Sequence, residues 1–199
     1  MMTVRQRLEQ GTQRWALLEH PFYRAWSGGQ LPLKALKTYA REYGAFIGTL
    51  PVGWQTLNDA ETAQEEREHA ELWQRFTDGV GATSGAAGIP QAIELVETAD
   101  SLFACPETAL GALYAFESQQ PETAQSKLAG LREFYSLPES VEPYFELHSR
   151  NQHEAAKLLA QIENLTPERQ QLAVEACETM SRALWEALSG IYKQDCPSL

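Results

Sequence analysis

The chain has 199 residues, 43% of them hydrophobic and 10% aromatic, with 27 acidic against 16 basic side chains and a formal net charge of −11. That length suits one domain with a sizeable core, so residues 1–199 are expected to form a single helical domain. Such an acidic surface, with no block of basic residues, repels nucleic acid and anionic membrane. No run reaches the roughly 18 apolar residues of a membrane span.

The opening MMTVRQRLEQ lacks the apolar core of a signal peptide. Cys105, Cys177 and Cys196 form neither a CxxC pair nor a disulfide framework. A cytoplasmic protein is the expectation.

Helical periodicity dominates the chain. Val4 to Leu18 is amphipathic, anchored by Leu8, Trp15 and Leu18. HPFYRAWSGG is a short segment stopped by two glycines. Pro32 opens a helix over roughly 33 to 58, which Pro51 is expected to bend. Residues 62 to 79 form a charged helix with Leu72, Trp73 and Phe76 on its apolar side, and GVGATSGAAG is a flexible connection. Helices are expected over 90 to 101, 106 to 135 with a kink or break at Pro121, and 139 to 162. Thr166 and Pro167 begin a last helix running to about Tyr192. No alternating strand pattern is present. The prediction is an all-α bundle of seven or eight helices.

Glu117 is the most informative residue. It sits in the apolar helical stripe of LGALYAFESQQPETAQSK, and a buried carboxylate is costly unless paired or metal-bound. A core pairing with one Arg or Tyr and a place in a functional site both remain open for it. Metal sites in helical bundles use inward carboxylates and histidines on facing helices. Of the four histidines, His69 has Glu66 three residues back, about 60° round the helix, and Glu65 four back, about 40° round. Either could share a metal with it; the competing reading is that EEREH is a solvated charge run. His148 lies among Tyr144, Phe145 and Leu147, as a ligand or as a hydrogen-bonded core histidine. His153 is about 140° further round on a regular helix and reads as a surface residue unless a bulge turns it inward.

Taken together, HPFYRAWSGGQLPLKALKTYAREY (20–43), HAELWQRF (69–76), ALYAFESQQPETAQSKLAGLREFY (112–135) and PYFELH (143–148) resemble the haem-oxygenase-like helical superfamily. Within it they are most similar to the group of the chlamydial protein associating with death domains, related to pyrroloquinoline-quinone synthase and thiaminase II. The resemblance implies a bundle of about seven helices with a non-haem di-iron site in its centre. It places Glu117, His69 and His148 on the family's iron ligands; Glu66 or Glu65, both on the His69 face, could compensate on the first ligand helix, for one or two iron ions. It also implies synthesis of para-aminobenzoate for folate from a tyrosine of the chain itself, with a lysine as amino donor. Tyr23 falls on the tyrosine position and Lys127 on the lysine.

Three positions depart from the family pattern. Thr62 stands where a carboxylate precedes His69 by seven residues. Gln152 and Ala155 replace an Asp and a His after His148, although a two-residue deletion would align His153 with that His and put Asn151 or Gln152 near the Asp. A weakened metal site is therefore expected.

Three functions stay open. The leading one is an iron-dependent, dioxygen-using oxidase or oxygenase in para-aminobenzoate formation. The others are a related metal oxidase on a small-molecule substrate, and a metal-free descendant that binds a ligand or protein. Thiaminase chemistry is disfavoured, because the helix around Glu117 presents no nucleophilic Cys. A homodimer is left open.

Overall fold

The computed structural model describes residues 2–150 and 153–196. Those residues form α-helices and two short 3₁₀ turns, with no strand among them. In chain order the helices are α1 (Val4–Arg14), α2 (Pro21–Ser27), α3 (Leu33–Ile47), α4 (Leu50–Thr56), α5 (Ala60–Gly79), α6 (Pro90–Leu102), α7 (Pro106–Glu117), α8 (Gln120–Phe134), α9 (Pro143–His148), α10 (His153–Glu163) and α11 (Pro167–Asp195). None of the described helices is long and apolar enough to cross a membrane.

Proline acts here as a start signal. Seven helices carry Pro at their first or second position, where the missing N–H costs nothing. This sets the bounds of three expected elements. The helix expected over 33 to 58 is two helices parted at 48–49, and Pro51 stands in the first turn of α4 instead of bending a continuous rod. The helix over 106 to 135 breaks at 118–119, so Pro121 follows the break. The helix over 139 to 162 is a 3₁₀ turn at Glu139–Val141 followed by α9 and α10. Rejoining the pairs α3–α4, α7–α8 and α9–α10 turns the eleven segments into eight rods, within the predicted range.

The long α11 lies against α6 and α7 and also touches α1, α2 and α3. Its approach to α7 needs a glycine: a Cβ on Gly111 would fall 1.9 Å from the Ala173 carbonyl oxygen. On the other side α5 packs on α3, α4 and α9, and α8 packs on α2 and α9. Aromatic rings fill the space between them. Tyr39 and Tyr43 stack at 4.9 Å, Trp73 meets Tyr144 edge-on at 4.8 Å, and Trp26 stacks on Phe76 at 6.3 Å. Trp73 Nε1 donates to the Ala40 carbonyl at 2.8 Å, so the indole's polar end is satisfied within the core.

Candidate metal centre and its tyrosine neighbour

Two of the helix breaks lie beside one polar cluster. Glu117 is the last residue of α7, His148 the last of α9, and Glu154 the second of α10, while α5 presents Glu66 and His69 from one face. All five side chains are buried. Ligand-capable atoms of Glu66, His69 and His148 lie within 4.8 Å of one another, and the two imidazoles meet edge-on at 4.7 Å. Glu117 lies outside that set of three. It is nonetheless buried close enough for the charges of Glu66 and Glu154 to act on it.

The backbone sets the histidine geometry. His148 Nδ1 lies 2.8 Å from the Tyr144 carbonyl oxygen, one turn back in α9. A carbonyl can only accept, so Nδ1 carries the proton and Nε2 keeps its lone pair. Burial pushes the His148 pKa down to about 3, so the ring is neutral and competent as a ligand. His69 Nδ1 lies 3.2 Å from Glu66 Oε1. Burial lowers the His69 pKa, but the Glu66 bond and the charges of Glu66, Glu154 and Glu65 outweigh it and hold the pKa above its ordinary value.

The carboxylates are in electrostatic excess. Burial, and then the charges of Glu66 and Glu154, push the Glu117 pKa well above the carboxylate range. Glu66 Oε2 and Glu117 Oε1 are buried without a hydrogen-bond partner. Buried carboxylate oxygens left unpaired are expensive, and a cation coordinated by carboxylates and neutral imidazoles removes the cost. Oxygen and nitrogen donors of this kind suit iron(II). The residues present therefore fit an iron centre.

Several sequence-level alternatives are resolved by packing. The solvated-run reading of EEREH holds for Glu65 and Glu68, which are exposed, and fails for Glu66. His153 is exposed, as read, yet its Nε2 lies 3.3 Å from Glu154 Oε1. Asn151 and Gln152 lie outside the described residues. Thr62 is committed elsewhere: its hydroxyl donates to Asp59 at 3.0 Å and accepts from Lys157 Nζ at 3.1 Å, and Lys157 also pairs with Asp59. Sequence reasoning missed Glu154, because its inward turn depends on the break between α9 and α10.

Tyr23 and Lys127 are both buried, at 2% and 3% exposure. Lys127 Nζ lies 5.0 Å from the centre of the Tyr23 ring and donates to the Tyr39 hydroxyl at 3.4 Å. The Tyr39 and Tyr23 hydroxyls are 2.9 Å apart. Burial brings the Lys127 pKa down to about 7, so a large share of the amine is neutral near neutrality. Tyr43 links the two groups of residues electrostatically. Its pKa is raised first by burial, then by Tyr23, and also by Glu117. A groove of about 920 Å³ outside the cluster has His69, Glu65 and His153 in its walls.

An all-α bundle with a buried carboxylate–imidazole cluster at its helix breaks is the architecture of a haem-oxygenase-like metalloprotein. The chain belongs to the iron-containing redox enzyme family, whose model matches residues 53–185. A 4-aminobenzoate synthase of Nitrosomonas europaea is 32% identical over 99% of this chain and 94% of its own length. A 4-aminobenzoate synthase of Chlamydia muridarum is 28% identical over 85% of this chain and 81% of its own. A heme-oxygenase-like domain from Shewanella denitrificans shares the fold, with a TM-score of 0.79 at 15% identity over 98% of this chain and 94% of that one.

Proposed function

We propose that this chain is an iron-dependent, dioxygen-using oxidase that forms 4-aminobenzoate from its own Tyr23, with Lys127 giving the nitrogen. The observation that carries the reading is the burial of a near-neutral Lys127 amine against the Tyr23 ring, 5.0 Å from its centre. The 4-aminobenzoate synthases similar to this chain supply the product class.

Glu66, His69, His148, Glu117 and Glu154 are the residues that would hold iron. Iron bound there supplies uptake and activation of dioxygen, the oxidant of the reaction. The chain's own residues do the positioning. Tyr39 hydrogen-bonds both the Tyr23 hydroxyl and Lys127 Nζ and so fixes amine and phenol relative to each other. The surrounding rings exclude water, and this burial holds a large share of the Lys127 amine unprotonated near neutrality. Tyr144 offers its carbonyl to His148 and its hydroxyl to Gln120 at 2.9 Å, tying the metal side to the start of the lysine helix.

The test is product analysis by mass spectrometry on protein made with heavy-nitrogen lysine, loaded with iron and exposed to air. The expected product is 4-aminobenzoate carrying the heavy nitrogen, at no more than one equivalent per chain. Tyr23→Phe lacks the phenol, and Lys127→Arg stays protonated, so both should yield none. Undiminished product from both variants, or many turnovers per chain, refutes the reading.

A further inference from the structure

A buried cation site needs a way in, and the structure offers one beside the cluster. Ligand-capable atoms of Glu65, His153 and Glu154 lie within 4.8 Å of one another, as a second set. Its burial is graded: Glu65 and His153 are exposed and Glu154 is buried. Glu65 is next in sequence to Glu66, and the charges of Glu65 and Glu154 both act on His69. The 920 Å³ groove is lined by Glu65 and His153 of this set and His69 of the inner set, and also by Arg75 and Arg150. The charge of Glu154, a member of this set, acts on Glu117, and Glu66 and Glu117 each keep a buried oxygen without a hydrogen-bond partner.

We infer that Glu65, His153 and Glu154 form an outer acceptor site, where a divalent cation of the iron(II) class docks from solvent before passing to the buried cluster. The inference rests on reading that cluster as the metal centre. The chemistry suits a transit step. A hydrated divalent ion must exchange its waters for protein donors before it enters a closed pocket. Two carboxylates and an imidazole offer that exchange at the surface. Two of the three donors, Glu65 and His153, are exposed to solvent, which favours release over retention. Glu154 belongs to the outer set and also acts on His69 and Glu117, so the ion stays close to an anion throughout.

The experiment compares metal uptake by the metal-free full chain and its Glu65→Gln/His153→Ala variant, both substitutions falling on exposed side chains. Cobalt(II) is the probe, supplied anaerobically at limiting concentration and followed by its visible absorption, with final content from elemental analysis. The expected result is uptake slowed about ten-fold or more, by loss of local cation capture, at the same final content and spectrum as the parent. An unchanged rate overturns the inference. So does a lower final content, which would make the outer set a resident site. A parent chain that takes up no cobalt refutes the inner centre itself, an outcome distinct from either.

Discussion

Replacing Lys127 by Met should stabilise the metal-free protein while ending any chemistry that needs the amine. Met has a similar length and no charge, so the aromatic packing around the side chain is kept. In the folded chain burial lowers the Lys127 pKa from 10.5 to about 7, and no ion pair to it exists among the described residues. Unfolding returns the amine to water. Between those two values the unfolded chain holds a proton that the folded chain lacks, so parent stability rises with pH across that window.

The displacement corresponds to about 5 kcal/mol of lost stability below neutrality. The Tyr23, Tyr39 and Phe145 rings around Nζ recover part of that through cation–π attraction, so a measured gain of about 2–4 kcal/mol is expected for Lys127→Met. Urea denaturation of both proteins at about pH 6.5 and about pH 9.5 reads it. The gap should be largest at the lower pH and shrink at the higher. A variant no more stable than the parent near neutrality, or a gap independent of pH, refutes the placement of a buried, unpaired amine.

Gly111→Ala would gain about 1 kcal/mol on an open helix face. Here the added Cβ meets the Ala173 carbonyl at 1.9 Å, so α7 and α11 must part, and thermal unfolding should show a net loss of about 1–3 kcal/mol; an unchanged or raised midpoint contradicts the close crossing. Glu117→Gln removes a buried carboxylate without changing its shape. The metal-free variant should unfold at a higher temperature than the metal-free parent, and iron affinity should fall about ten-fold or more. Unaltered iron binding by equilibrium dialysis would exclude Glu117 from the centre.

The rods were legible because periodicity and first-turn prolines are local properties. The breaks were legible only roughly: Pro121 signals an interruption of the helix over 106 to 135, and the structure puts it just before, at 118–119. The same limit hid Glu154. On an unbroken helix it lies about 120° from His148, and the turn at Ser149 and Arg150 ends that register. Glu117 and His148 stood out as polar residues in apolar stripes. Glu65 and Glu66 could not be separated by angle alone, and the packing of α5 decided between them. Lys127 carried a readable sign: Thr123, Ala124, Gly130 and Leu131, at helical spacing around it, are all buried.

The depth of Tyr23 has a consequence for the lifetime of the molecule. Its ring is 2% exposed and packs against Phe22, Trp26 and Tyr39. On the proposed reaction each chain surrenders that ring once. Emptying a core site of an aromatic side chain costs about 3–5 kcal/mol, a large fraction of the roughly 5–15 kcal/mol that keeps a domain folded. A spent chain would thus differ from a fresh one in its susceptibility to proteolysis. One event would release the vitamin precursor and mark the exhausted protein for removal, so that synthesis of new chains, not catalytic turnover, would set the supply.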